Sequence, residues 1–219
     1  AAIKAAGFAG ESGMKVSVFA PPRSKLTRVV AVGVGKAKEM TIQSLEEAGA
    51  SLYEVLSKEL RVTLVLDDIQ GATIAGSEIA SALASGMELK SYRFDKYRTR
   101  EKVADKPKLK SVAVATTSFF DARAAYALRK AINDGVTLTR NLVSEPANVL
   151  TPQAFAEIAT GLSRDGVKVK VLGPKEMGKL GMGALLGVAQ GSENEPRLVV
   201  FEWNGGSKKD PKLAFVGKG

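Results

Sequence analysis

The sequence predicts an α/β fold in two parts: an N-terminal mixed-sheet domain flanked by helices, and the incomplete start of a second α/β domain. Short β-rich runs alternate with longer stretches in which apolar residues recur at helical spacing, the order typical of a sheet covered by helices. A break follows at 144–152, where Pro146 and Pro152 cannot continue a helix and Asn148 favours a turn. A new alternation of helices and strands begins after this break.

The first part contains four predicted strands and three predicted helices. The strands are 15–19, 28–34, 62–66 and 111–115, and the helices are 41–60, 74–90 and 121–139. Thr41 is the predicted N-cap of the first helix. The apolar face of this helix comprises Ile42, Leu45, Ala48 and Leu52. Asp121 is the predicted N-cap of the third helix, whose apolar stripe comprises Ala124, Ala125, Leu128 and Ile132.

The second part begins with a helix that Thr151 caps, with Pro152 in the first position, where proline is favoured. Its predicted buried face comprises Phe155, Ile158, Ala159 and Leu162. A strand at 167–172, a helix at 175–180 and strands at 198–203 and 213–216 should follow. Five glycines between 178 and 191 predict tight turns or close backbone packing. A buried last strand needs covering elements, so we expect the chain to be a piece of a longer protein.

Composition excludes several classes of site. The chain has 219 residues and 23.1 kDa, with 45% hydrophobic and 25% charged residues, as in ordinary folded proteins. It contains no cysteine and no histidine, which excludes disulfides, thiolate or imidazole metal sites and Ser-His-Asp catalysis within it. No apolar run approaches the roughly 20 residues of a membrane span, and no secretory signal opens the chain. The expected location is therefore the cytoplasm, with no membrane partner.

Positive charge concentrates in the basic segment, residues 93–110. The chain carries a net charge of +9, and this segment supplies eight basic and three acidic side chains. Tyr92, Phe94 and Tyr97 interleave with it. Basic side chains neutralise phosphates and aromatic rings stack on bases, so nucleic-acid binding is one interpretation. The favoured alternative is a solvated surface connection with its aromatic rings tucked beneath, because no nucleic-acid motif accompanies the segment.

Three further motifs admit a functional and a structural interpretation. Gly33-Val-Gly35-Lys36 follows a strand, as phosphate-binding turns do, but its spacing matches neither the dinucleotide nor the Walker pattern. Gly217-Lys-Gly219 taken alone is a tight turn with one exposed lysine. Asn141–Asn148 is favoured as a connection whose polar side chains satisfy a helix end.

Several segments together resemble the leucyl (cytosol) aminopeptidase family. Thr139-Arg-Asn-Leu-Val-Ser-Glu-Pro-Ala-Asn-Val-Leu-Thr-Pro152 is similar to the segment that joins the family's two domains. Residues 175–192 resemble its helix-and-glycine loop. Residues 196–200 and 213–219 are similar to strands that approach its active site. Before residue 139, Tyr92-Arg-Phe-Asp-Lys-Tyr97 is the recognisable part, and the rest matches by layout.

The resemblance implies a macro-domain-like N-terminal domain at 1–138, an interdomain segment at 139–152 and the truncated beginning of a metallopeptidase domain at 153–219. It implies a homo-hexameric exopeptidase that removes N-terminal residues such as leucine from peptides. Two divalent metal ions, zinc or manganese and in some members magnesium, would activate water and polarise the scissile carbonyl, chemistry that needs no histidine. Some members of the family also bind DNA, which keeps open an alternative role as a DNA-binding or assembly module.

One family site residue falls within the chain. Lys218 matches the lysine of the Val-Gly-Lys-Gly motif, whose side-chain nitrogen ligates a metal. The family's metal-binding carboxylates, second catalytic lysine and catalytic arginine come after this point. The resemblance therefore implies no catalytic residue within these 219 residues, and the chain alone should be inactive.

Overall fold

The structure is a computed structural model that describes residues 2–66, 69–207 and 209–218. It divides into two compact units, which we call unit 1 (residues 1–143) and unit 2 (residues 144–219). Both units combine helices with short strands, so the predicted α/β class is confirmed. Within the described residues, no helix is both long enough and apolar enough to cross a membrane.

The described residues of unit 1 form four strands and four helices. The strands are β1 (Lys15–Phe19), β2 (Arg28–Val32), β3 (Arg61–Leu66) and β4 (Ser111–Thr116). The helices are α1 (Ala2–Ala5), α2 (Ile42–Leu56), α3 (Gly76–Ser91) and α4 (Phe119–Ser144), and single 3-10 turns lie at Ala37–Glu39 and Val103–Asp105. The four predicted strands and three predicted helices all form, with ends that differ by up to five residues.

The strands of unit 1 form one antiparallel pair and one parallel pair. β1 and β2 pair antiparallel, with Lys15 opposite Val32. β3 and β4 pair parallel, with Arg61 opposite Ser111, and α3 forms the crossover between them. Among the residues described, these strands form two separate two-stranded sheets rather than one continuous sheet.

The core of unit 1 lies between α2, α3 and one face of the β3–β4 sheet. Thr41 caps α2 as predicted, because its hydroxyl accepts a hydrogen bond from the Ser44 amide at 3.1 Å. Leu45, Ala48 and Leu52 of the predicted apolar face are buried, and Leu64 of β3 completes the cluster. The hydrophobic effect therefore holds α2 in place through the stripe that the sequence indicates.

Helix α4 departs from its prediction in three ways. It begins at Phe119, so Asp121 lies in its first turn and is not the N-cap. It continues to Ser144, five residues beyond the predicted end. The predicted apolar stripe is not buried, since Leu128 is 74% exposed and Ile132 67% exposed. The physical reason is that long polar side chains on the opposite face hydrogen-bond to α2 and α3, which turns the apolar stripe toward solvent.

Unit 2 contains helices α5 (Pro152–Gly161), α6 (Pro174–Lys179) and α7 (Gly183–Ala189), with strands β5 (Lys168–Leu172) and β6 (Leu198–Glu202). A 3-10 turn covers Leu162–Asp165. β5 and β6 pair antiparallel, with Lys168 opposite Glu202. Thr151 caps α5 as predicted, since its hydroxyl accepts from the Ala154 amide at 3.2 Å and Pro152 takes the first position.

Three expectations for unit 2 are wrong or only partly met. In α5, Ala156 and Ala159 are buried, whereas Phe155 and Ile158 are 42% and 41% exposed. Residues 213–216 do not form a strand, and Phe215 is 95% exposed, because no described strand lies beside them to complete a ladder. The glycine-rich stretch contains α7, and within it only Gly181 has a positive φ, +71°, that requires glycine.

Candidate functional site

Lys218 is the one predicted metal ligand, and it lies in the irregular segment that follows β6. Its side chain is exposed. Among the residues that the structure describes, it has no hydrogen bond or ion pair, and no group of three or more His, Cys, Asp or Glu side chains could hold a metal. The amine of Lys218 is therefore a single free donor, which is too few for a metal site.

The carboxylates nearest to this segment along the chain are already engaged. Asp210 accepts a hydrogen bond from the Ser207 amide at 2.6 Å, which closes the turn after β6. Glu202 accepts one from the Asn204 amide group at 2.9 Å. That hydrogen bond, assisted by the charges of Lys168 and Lys212, holds the pKa of Glu202 below its usual value. Both groups serve the local turn, and the structure does not bring either together with Lys218.

In the Gly33–Lys36 motif, backbone amides that could bind a phosphate already donate hydrogen bonds within the protein. The Gly33 amide donates to the Met14 carbonyl at 2.8 Å, and the Gly35 amide donates to the Gly10 carbonyl at 3.0 Å. A Cβ on Gly33 would lie 2.0 Å from the Glu11 carbonyl oxygen, so only glycine fits there. Because both amides already have partners, they are not free to bind a phosphate. The structure favours a plain glycine turn.

The Asn141–Asn148 motif also forms a backbone turn in the part that follows α4. The carbonyl of Pro146 accepts hydrogen bonds from the amides of Val149 and Leu150 at 2.9 and 3.0 Å. Within the described ranges, the side chains of Asn141 and Asn148 make no hydrogen bond, so neither of these two residues caps the helix end.

The aromatic residues of the basic segment are engaged within the protein. Phe94 and Tyr97 pack edge to face, with ring centres 5.8 Å apart. The Arg140 guanidinium lies 5.5 Å from the centre of the Tyr92 ring. The Lys58 ammonium donates to three carbonyls at 104–106, which fastens the segment to the end of α2. Tyr92 and Phe94 are half-buried, as predicted for a surface connection with aromatic rings beneath it, whereas Tyr97 is 50% exposed.

Charge in the basic segment divides into paired and unpaired groups. Arg93 and Glu101 form an ion pair with a 2.5 Å N–O distance, and the Arg93 hydrogen bond lowers the pKa of Glu101. Five exposed cations have no ion-pair partner among the described residues: Arg98, Arg100, Lys102, Lys108 and Lys110. The outer surface of the segment therefore carries a net positive charge.

Sequence reasoning missed a polar cluster that fastens α4 to α2 and α3. Arg129 donates to Glu46 at 3.2 Å, to Glu78 at 2.8 Å and to the Ser81 hydroxyl at 3.0 Å. One turn further along α4, the Asn133 amide group donates to Glu88 at 2.7 Å. The signal was present as polar residues at helical spacing along α4, but the same spacing is typical of a solvent-facing side.

Tyr126 belongs to the same face of α4. Its hydroxyl donates to Glu88 at 3.0 Å. Burial of the phenol, together with this hydrogen bond and the adjacent carboxylate charge, raises the pKa of Tyr126 to about 12. A tyrosine that holds its proton this firmly acts here as a hydrogen-bond donor.

The two domains of one protein family match consecutive parts of the chain. Residues 1–101 match the N-terminal domain of the cytosol aminopeptidase family, and residues 137–219 match its catalytic domain. The probable cytosol aminopeptidase of Agrobacterium fabrum is 44% identical over 220 residues, which cover 100% of this chain and 44% of the relative. The protein of the same name from Brucella melitensis is 44% identical over 97% of this chain and 44% of its own length. The chain thus spans less than half of the curated relatives it matches.

Solved structures with similar folds point to the same family. The bottromycin maturation enzyme BotP in complex with Mn is 30% identical with a TM-score of 0.74, over 92% of this chain and 42% of that one. A tomato leucine aminopeptidase mutant is 26% identical with a TM-score of 0.75, over 90% of this chain and 39% of that one. Both family domains match in chain order and the relatives align along nearly the whole sequence, so the chain belongs to the cytosol aminopeptidase family.

Proposed function

We propose that these residues are part of a leucyl aminopeptidase that removes N-terminal amino acids from peptides. The observation that carries the proposal is the match of residues 137–219 to the family's catalytic domain. We assign 1–138 to the N-terminal domain, 139–152 to the interdomain segment and 153–219 to the beginning of the catalytic domain. The N-terminal domain then shapes access and subunit contacts rather than the chemistry.

Lys218 is proposed to ligate one of two divalent metal ions. The candidate metals are zinc, manganese and magnesium. A lysine amine binds a cation once it has lost its proton, and the field of the cation favours that loss. The manganese in BotP supports a metal-dependent reaction in the family. The described residues offer this amine and no carboxylate cluster, so they do not form a metal site on their own. We therefore expect the 219-residue chain to have no peptidase activity.

The test compares two proteins for release of leucine from a leucyl peptide in the presence of zinc, manganese or magnesium. One is the 219-residue chain, and the other joins it to the remaining catalytic sequence of the Agrobacterium relative. We expect turnover only from the joined protein. Turnover by the chain alone would overturn the expected inactivity, and a folded joined protein that is silent with every metal would overturn the aminopeptidase proposal.

A paired substitution in the joined protein tests Lys218 itself. Lys218→Met should abolish activity and lower the bound metal by one equivalent per chain. Lys209→Met, an exposed lysine in the same segment, is the matched control and should leave both quantities unchanged. Full metal content in Lys218→Met would contradict its assignment as a ligand.

Assembly as a cytoplasmic homo-hexamer is proposed from the family resemblance. Light scattering on the joined protein should give a mass about six times that of one chain. A stable monomer at micromolar concentration would contradict this part of the proposal.

Binding of DNA through the basic segment is the second candidate. The five exposed cations without ion-pair partners favour it, and they supply contacts to phosphates. Five phosphate contacts would make log K fall against log salt with a slope of about −4.5. A gel shift across a salt series measures that slope. The absence of binding at low salt would remove the candidate.

A further inference from the structure

Unit 1 contains a cavity of about 450 Å³ that none of the preceding assignments uses. It lies between β4, α3 and the first two turns of α4, with Tyr53 of α2 at one side. This volume falls within the range of about 300–1,000 Å³ that is usual for small-molecule sites.

Most of the cavity wall is apolar. Met87 and Ala84 come from α3, Val112 and Val114 from β4, and Ala122 from α4. Hydroxyl groups of Ser81, Ser91 and Thr116 supply a few polar positions. An apolar wall with a small number of polar groups suits a ligand whose body is hydrophobic.

Charge on the wall is unbalanced toward the positive. Three charged residues line the cavity: Glu88, Lys110 and Arg123. Glu88 is compensated, because it accepts hydrogen bonds from Tyr126 and Asn133 and pairs with the Lys130 ammonium at 3.4 Å. Lys110 and Arg123 are exposed at the cavity and have no ion-pair partner among the described residues. The cavity therefore combines an apolar wall with two cationic side chains, Lys110 and Arg123, that could attract an anion.

We propose that this cavity binds a small amphipathic anion, with an apolar body against α3 and β4 and a carboxylate attracted by the cationic side chains of Lys110 and Arg123 on the wall. The apolar body is driven into the cavity by the hydrophobic effect, and the two cations select the sign of the head group. The site belongs to unit 1 and is independent of the metal chemistry proposed for residue 218.

Titration calorimetry with three probes of one chain length tests the sign selection: decanoate, decanol and decylammonium, each below its micelle concentration. Decanoate should bind one site per chain, about tenfold more tightly than decylammonium, with decanol between them. Arg123→Glu should weaken decanoate binding by at least about threefold, whereas Arg164→Glu, the same charge change on an exposed residue of unit 2, should not. Ala84→Phe fills the cavity and should abolish the binding of all three probes.

Equal affinities for the three probes, or equal effects of the two arginine substitutions, would overturn the charge selection. Unchanged decanoate binding in a folded Ala84→Phe variant, checked by circular dichroism, would overturn the location. Binding of many decanoate molecules per chain without saturation would show a detergent-like interaction and would also refute the site.

Discussion

The contact between α2 and α3 yields the sharpest test of the fold, because the two helices meet backbone to backbone. A Cβ placed on Gly86 of α3 would lie 1.9 Å from the Glu46 carbonyl oxygen of α2, and one on Gly49 would lie 2.1 Å from the Leu83 carbonyl oxygen. Since real Cβ atoms stay at least 3.0 Å from such atoms, Gly86→Ala must push the helices apart by more than 1 Å.

The expected result is a net loss of stability. Alanine gains about 1 kcal/mol over glycine in a helix interior. Overpacking costs about 1–3 kcal/mol, and the rigid backbone atom at Gly86 places the cost at the upper end. Separation also loosens the buried side chains of Leu45 and Leu83 between the helices. We therefore expect Gly86→Ala to lower the free energy of unfolding of unit 1 by about 2 kcal/mol.

A matched control lies in α4. A Cβ on Gly135 meets no atom within 4 Å, so Gly135→Ala should retain the helix-propensity gain and raise stability by up to about 1 kcal/mol. Urea unfolding followed by far-UV circular dichroism measures both variants. Trp203, the single tryptophan, lies in unit 2, so its fluorescence transition should stay in place. A Gly86→Ala protein as stable as Gly135→Ala would refute the close approach of α2 and α3.

Three further predictions concern single side chains. Arg129→Met leaves two glutamates without their cation and should destabilise unit 1 by about 1–2 kcal/mol in the same urea assay. This value lies between those for exposed and buried ion pairs, because the Arg129 side chain is 16% exposed. No change in stability would contradict the role of the polar cluster. Tyr126 has a pKa raised from 10.0 to about 12, so the folded state holds this proton more tightly. Its stabilisation is full below pH 10 and is lost as the pH rises to 12. An absorbance titration should show a tyrosine step near pH 12 that vanishes in Tyr126→Phe. Thr151→Ala removes the cap of α5 and should cost about 1 kcal/mol, seen as an earlier Trp203 transition; an unshifted transition would contradict the cap.

Features that depend on neighbouring residues could be predicted from the sequence. The caps Thr41 and Thr151 follow from a hydroxyl placed three residues before a free helix amide, and strand β1 has the predicted bounds 15–19. The core face of α2 could be predicted because Leu45, Ala48 and Leu52 recur at the helical period next to strongly apolar strands. Burial of all three side chains in the structure confirms it.

Features that depend on distant partners could not be predicted in this way. The apolar stripe of α4 is exposed because Arg129 finds Glu46, which lies 83 residues earlier in the chain. The apolar run at 213–216 has high strand propensity, yet a strand requires a neighbour to share its ladder, and no described strand lies beside it. Local propensity says nothing about whether such partners are present.

The sequence by itself determined the α/β class and the family, because both are encoded in periodicity and in contiguous motifs. Only the tertiary structure decided which glycines are indispensable, which face of α4 turns inward and where a cavity forms. Gly49 and Gly86 look like ordinary helix residues until two backbones are seen to touch. Contacts of this kind join residues far apart in the chain, so they are set by the packing of whole elements rather than by local sequence.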